Sequence, residues 1–185
     1  GHAMGADGLA ALNLAWPLAG VIWGLSMLVG MGGGAQLSIA RGAMEPRRQG
    51  ATLAMTLVLI LILGALCGAL ILGLSHPFLA AQGAAEPQIG FGLDYLVVQG
   101  WTAPLMLAGM ALPLILRNLG TPGLATVAML TGAIMNFGFN WILVIKLDQG
   151  LSGAALATAI AEAVVILFCL SVMARLGVFA KLVWP

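Results

Sequence analysis

The sequence predicts an all-α membrane protein with about five transmembrane helices. Hydrophobic residues make up 62% of the chain and charged residues only 7%, and the mean hydropathy is +1.10. Soluble domains carry about 25% charged residues, so this chain could not present a soluble surface. Apolar runs of about 20 residues, long enough to cross a bilayer, recur along its whole length. The predicted spans are 9–40, 52–74, 93–116, 124–145 and 152–176.

These runs leave little room for a soluble domain, so residues 5–185 are predicted to form a single transmembrane helical domain. The opening GHAM, residues 1–4, resembles an expression scar and is left out of the interpretation. The 26 glycines suit close helix packing in lipid. Three of them, at 32–34 in the first span, predict either a bend or a close approach to a neighbouring helix.

The distribution of Lys and Arg between the predicted loops gives an orientation. One side carries six basic residues and the other carries Lys146 alone; the six are Arg41, Arg47, Arg48, Arg117, Arg175 and Lys181. The six-bearing side, with the C-terminus, is expected to be cytoplasmic in the inner (plasma) membrane. Five spans then leave the N-terminus outside. An odd number of spans without a signal peptide suggests that one helix has been lost from the front.

Polar residues occur in the fourth and fifth spans, at depths where they are costly. Asn136 and Asn140 are four residues apart and share a helix face, as do Thr158 and Glu162 on the next helix. A short turn joins the two helices, so the two faces are expected to meet. Their oxygen atoms could serve a hard cation, which prefers oxygen ligands. The alternative is that the asparagines and the threonine only hydrogen-bond the helices together, at roughly 0.6–2 kcal/mol each.

Glu162 lies about ten residues into its predicted helix, roughly 15 Å deep at about 1.5 Å per residue. An ionisable residue near the bilayer midplane is a functional hypothesis by default. Burial favours its neutral, protonated form, which could carry a proton across the membrane. The alternative is a neutral glutamic acid that donates a hydrogen bond to Asn136 or Asn140.

Three further residues are predicted to line a cavity, namely Gln36, Gln99 and Met135. Tryptophans close to the span ends are expected to anchor the chain at the membrane interface rather than to stack on a substrate; they are Trp16, Trp23, Trp101 and Trp141. No enzyme constellation or metal-ligand spacing is visible, so neither an enzyme activity nor a metal site is predicted.

Several segments resemble the multidrug and toxic compound extrusion (MATE) transporters. The segments are GADGLAALNLAWPL, GMGGGAQLSIARGAMEPRRQG, RNLGTPGLATVAMLTGAIMNFGFN and GLSGAALATAIAE. The resemblance implies that the five spans correspond to the second to sixth helices of the amino-terminal lobe. It also implies that the first helix and the second lobe are absent. MATE proteins export organic cations in exchange for sodium ions or protons, and use no cofactor besides that coupling ion.

The resemblance also implies a cation site in part of the family, onto which Asn136, Asn140 and Thr158 fall. Asn140 stands where that site has an acidic residue, and the acidic residue of the first helix has no counterpart here. Sodium is therefore expected to bind weakly or not at all, and Glu162 favours a proton.

Two other functions stay open. One is a non-transporting membrane fragment or assembly subunit, and the other is a lipid-linked sugar flippase of the same superfamily. The expected partners are the lipid bilayer, organic cation substrates, and either the missing helix and lobe or a second copy. No nucleic-acid partner is expected from a net charge of +1.

Overall fold

A computed structural model describes residues 5–179, which form five long helices joined by short turns. The helices are α1 (Gly5–Gly42), α2 (Pro46–Ala81), α3 (Gln88–Asn118), α4 (Pro122–Asn140) and α5 (Gly150–Arg175). A π-helical segment, Trp141–Lys146, continues α4. All five are long and apolar enough to cross a membrane, which confirms the predicted number of spans. The predicted expression scar and Lys181 lie outside the described residues.

The helices extend further than the apolar runs, and two predicted loops were too long. Residues 41–50 and 75–92 were expected to be loops, but α1 and α2 leave only three residues between them, 43–45, and α2 continues through Pro77 to Ala81. Apolar composition measures the thickness of the hydrocarbon layer, whereas helical hydrogen bonding continues into the polar layer. The turn-forming residues therefore marked the membrane boundary rather than the helix ends.

The centre of the bundle is α3, which packs against all four other helices. Its most apolar 18-residue window is 56% buried although its mean hydropathy is only 1.3. In α2 the mean hydropathy of the corresponding window is 2.9 and only 28% of it is buried. Between these two helices the order is the reverse of that in a soluble protein, as expected where a highly apolar helix faces lipid. It does not extend to all five, since the window of Pro122–Lys146, with a mean hydropathy of 1.6, is only 11% buried.

Glycines bring the backbones of α1 and α2 close to α3. A β-carbon at Gly64 would lie 3.0 Å from Cβ of Pro104, and one at Gly68 would lie 2.5 Å from the carbonyl oxygen of Gly100. Such contacts leave no room for a side chain, and small residues commonly allow close packing of this kind in membranes. Of the three consecutive glycines, Gly33 meets Thr56 on α2 and Gly34 meets the side chain of Asn118 on α3. The predicted close approach is confirmed.

Polar contacts tie the ends of α1 and α3 together. The Ser38 hydroxyl donates to Oδ1 of Asn118 at 3.0 Å, and the Arg41 guanidinium donates to the carbonyl of Leu119. Arg41 and Arg117 therefore lie at the same end of the bundle. That grouping agrees with the distribution of basic residues, while the cytoplasmic placement of this end stays a prediction.

Replacing Gly64 with alanine is expected to destabilise the bundle by about 1–3 kcal/mol, because the added methyl overlaps Pro104. The matched control is Gly73→Ala on the same helix, since nothing lies within 4 Å of its β-carbon position. Thermal unfolding in detergent, followed by circular dichroism, measures both. Equal melting temperatures for the two variants would contradict the close α2–α3 contact.

Candidate coupling and substrate site

A cavity of about 400 Å³ opens between α1, α3, α4 and α5 and is here called cavity one. All four helices contribute residues to its lining, and α3 contributes the most. Most of the lining is apolar, and the aromatic and polar residues in it are Trp16, Trp23, Tyr95, Gln99, Asn136, Thr158 and Glu162. Cavity one thus brings together three of the four predicted coupling residues, Asn136, Thr158 and Glu162.

A continuous chain of hydrogen bonds joins α4 to α5 beside the cavity. The side-chain amide of Asn140 donates to the backbone oxygen of Asn136 at 2.9 Å and to its Oδ1 at 3.1 Å. The amide of Asn136 then donates to the Thr158 hydroxyl at 3.0 Å, and that hydroxyl donates to the carbonyl of Ala154 at 3.1 Å. The expected meeting of the two faces is confirmed. Asn140 takes part in this chain but does not line cavity one.

Glu162 stands apart from this chain. It is half-buried on α5, lines cavity one, and packs against Gly109 of α3. Within residues 5–179, no hydrogen bond joins it to Asn136 or Asn140, so the alternative of a glutamic acid bonded to these asparagines is not observed. The reason is geometric, because its side chain extends toward α3 while Thr158, one turn earlier, reaches α4.

The three residues predicted to line a cavity have different surroundings. Gln99 lines cavity one, is 1% exposed, and its Oε1 has no hydrogen-bond partner within the described residues. Gln36 lines a separate, largely apolar groove of about 650 Å³ between α1 and α2. Met135 lies in neither lining and is 37% exposed. It precedes Asn136, and a step of one residue turns a helix by about 100°, so the two side chains face different directions.

The tryptophan interpretation needs a correction for two of the four residues. Trp16 and Trp23 were expected to be interface anchors, yet both line cavity one, with their ring centroids 6.2 Å apart. They are seven residues apart, or about two helical turns, and this spacing could have indicated a shared face. Trp101 is 75% exposed, and Trp141 lies beneath the Lys146 ammonium, which is 4.2 Å from its ring centroid. Neither of these two lines cavity one.

Comparison with known proteins decides the family. The sequence model of the MatE family matches residues 1–142, which is most of the chain. The chain belongs to the MatE family. It is 29% identical to the multidrug export protein MepA of Staphylococcus saprophyticus over 160 residues, and 27% identical to MepA of Staphylococcus aureus (strain MSSA476) over the same number. Each match covers 86% of this chain and 36% of the relative, so the chain spans about a third of the length of these relatives.

Solved structures of MATE transporters share the fold. One, described as the inward-facing conformation of a multidrug resistance MATE family transporter of the MOP superfamily, matches with a TM-score of 0.87 and 26% identity. A second, described as the outward-facing conformation, matches with 0.85 and 26%. The matches cover 90% of this chain and 38% and 37% of those chains. A third is a MOP superfamily transporter from Pyrococcus furiosus, with a TM-score of 0.84 and 27% identity over 89% of this chain and 36% of that one.

These findings confirm the resemblance to part of a MATE lobe and the helical membrane fold. Members of the MatE family are multi-pass membrane transporters. The MatE chain described here is therefore a multi-pass membrane protein of a transporter family.

The hydrogen bond between Asn136 and Thr158 is expected to contribute about 0.6–2 kcal/mol to stability. It joins α4 to α5, and α5 is the helix against which α4 mainly packs. A double-mutant cycle of Asn136→Ala and Thr158→Val, read from unfolding free energies in detergent, measures this coupling. The control cycle combines Asn136→Ala with Thr131→Val. Among the described residues, the Thr131 hydroxyl bonds only to the carbonyl of Val127 on its own helix. A coupling energy near zero in the first cycle would contradict the interhelical bond.

Proposed function

We propose that this chain forms part of a proton-coupled multidrug efflux antiporter, which exports organic cations across the plasma membrane by alternating access. One observation carries the proposal: Glu162 is the sole carboxyl group among the residues lining cavity one. A carboxyl group inside a membrane helix is expensive to keep and is commonly part of an ion or proton pathway. Taking up and releasing one proton at Glu162 would couple the pH gradient to the conformational cycle.

A proton is a better coupling ion than sodium for these residues. The oxygen atoms Oδ1 of Asn136 and Oγ of Thr158 already accept hydrogen bonds from neighbouring amides. A sodium ion would share these oxygens with the amide donors and would gain no carboxylate at position 140. Among the described residues, no group of three or more His, Cys, Asp or Glu side chains could hold a metal ion. Asn136, Asn140 and Thr158 are therefore assigned a supporting role and Glu162 the coupling role.

The lining of cavity one suits an organic cation. The faces of Trp16 and Trp23 attract cations, and the flexible thioethers of Met106 and Met129 adapt to differently shaped apolar groups. Within residues 5–179, no Lys or Arg contributes to this lining. A flippase that handles an anionic lipid-linked sugar needs cationic groups in its cavity, so the charge of the lining favours drug export over that alternative.

Alternating access requires more polypeptide than this chain. The relatives are nearly three times as long, and the match to structures described as inward-facing and outward-facing is equally good. That equality supports a lobe that moves as a unit against a partner. We infer that the partner is the first helix and second lobe of the same transporter, or else a second copy of this chain. In this arrangement the C-terminus faces the cytoplasm.

Glu162→Gln is expected to abolish pH-driven export, because glutamine keeps the shape of the side chain but cannot release a proton. The assay follows a fluorescent organic cation in vesicles that contain the chain together with the rest of its transporter. Vesicles that contain the chain alone are the comparison: pH-driven movement there would identify the partner as a second copy of the chain, and its absence would identify the partner as the rest of the transporter. Undiminished pH-driven exchange in Glu162→Gln would remove the proton-coupling proposal.

Asn140→Asp tests the preference against sodium, since it places a carboxylate beside Asn136. Sodium-driven uptake of the same cation is expected to be absent before this change and to appear after it, because sodium favours charged oxygen ligands. The control is Asp148→Asn in the turn before α5, which changes a carboxylate outside cavity one. Strong sodium-driven transport before any substitution would show that the amide and hydroxyl oxygens suffice.

A further inference from the structure

The buried glycine Gly109 of α3 has an unusual neighbour. A β-carbon added there would collide with Oε2 of Glu162 and lie 2.8 Å from both its Cβ and its Cδ. All three nearest heavy atoms thus belong to one acidic side chain. At Gly30, Gly64 and Gly68 the nearest atoms instead include the backbone of a neighbouring helix. Those glycines let two helices approach; Gly109 does the same for α3 and α5, because the Cβ of Glu162 is fixed to α5, and it also leaves space for the carboxyl group.

The space at Gly109 offers the carboxyl group no charge partner. No described residue donates a hydrogen bond to Glu162, and none of the described Lys, Arg and His residues lines cavity one. The other titratable groups in its surroundings are Tyr95 in the same cavity and Cys169, about two turns further along α5. An ionised carboxylate without donors is costly in a medium of low dielectric constant, so this space fits the neutral carboxyl group.

Hydrogen-bond donors lie on the other side of the cavity. The Asn136 amide on α4 gives one hydrogen to Thr158 and has a second without an acceptor among the described residues. The Thr158 hydroxyl, one turn from Glu162 on the same helix, donates to the carbonyl of Ala154 and would have to turn from it to reach the carboxyl group. Rotation about the side-chain bonds of Glu162 would move its carboxyl group from α3 toward these donors. The two surroundings differ in the charge state that they stabilise, since one lacks donors and the other supplies them.

We propose that Gly109 is a positioning residue that seats the neutral carboxyl group of Glu162 against α3, and that the ionised group leaves this seat for Asn136 and Thr158. The consequence for transport rests on the proposed coupling role of Glu162. The position of the neutral carboxyl group against Gly109, here called the seat, does not depend on that role, because it follows from the contact between α3 and α5. A side chain at position 109 would fill the seat and keep the carboxyl group in the cavity.

The test uses dicyclohexylcarbodiimide, an apolar reagent that reacts with protonated carboxyl groups inside membranes. The carboxyl oxygen bonds to the carbodiimide carbon and its proton moves to nitrogen; rearrangement then gives a stable N-acylurea that retains every atom of both reactants. Mass spectrometry of the full chain in lipid nanodiscs locates the label on Glu162. At a pH low enough to keep Glu162 protonated in both proteins, Gly109→Ala is expected to raise the labelling rate several-fold, because the carboxyl group then faces the open cavity. An unchanged or lower rate would overturn the seat.

The packing control is Gly64→Ala, which also crowds α3 but at Pro104, away from Glu162. It should leave the labelling rate unchanged; a matching increase would mean general loosening of the bundle and would overturn the assignment to Gly109. Glu162→Gln identifies the label, since it removes the reactive group.

Infrared spectroscopy gives a second measurement that needs no substitution at Gly109. The difference spectrum between the original chain and Glu162→Gln isolates the carbonyl stretch of this one carboxyl group. The expected band is that of a protonated carboxyl group without a hydrogen-bond partner at neutral pH. A carboxylate band instead would overturn the seat. If the seat is present but Glu162→Gln keeps pH-driven transport, the proposed function fails and the positioning by Gly109 stands.

Discussion

In a bilayer, lipid tails are as apolar as leucine, so apolar surface alone does not draw helices together. Close contact between backbones must supply the attraction, and in this protein that contact is made by α3. Gly30, Gly64 and Gly68 bring α1 and α2 against it until backbone atoms of neighbouring helices touch. Dispersion attraction falls steeply with distance, so these few positions contribute more to the association of the helices than the many leucines that face lipid. The least apolar helix is for this reason the best buried.

The position of α3 also determines the site. Cavity one exists because α1, α4 and α5 surround α3 without filling the space beside it. On α5, the side facing α3 carries Glu162, while Thr158 one turn earlier reaches α4. Two successive turns of α5 thus contact different helices, α4 at Thr158 and α3 at Glu162. The hydrogen-bonded residues hold α4 in place, and the carboxyl group stays free of them.

The sequence predicted the features that depend on composition and periodicity. Span number followed from the apolar runs, and the meeting of Asn136 with Thr158 followed from four-residue spacing across a short turn. What it could not predict depends on which helices pack together. A hydrogen bond from Glu162 to Asn136 or Asn140 was the alternative drawn from the sequence, because the two helices follow each other in the chain. The residue that Glu162 contacts is Gly109, 53 positions away. Trp16 and Trp23 were assigned by depth alone, and depth does not tell lipid from cavity.

Separating the supporting network from the ionisable group has a consequence for coupling. If Glu162 replaced one of the acceptors in the network of Asn140, Asn136 and Thr158, each protonation change would disturb the contact between α4 and α5. As it is, every donor hydrogen in that network except the second amide hydrogen of Asn136 has an acceptor other than Glu162. The carboxyl group can therefore change charge while α4 stays attached. Reciprocal linkage requires only that the two conformations bind the proton with different affinity. Side-chain rotation gives Glu162 two surroundings of different proton affinity, and coupling would follow if the inward-facing and outward-facing conformations favour different ones.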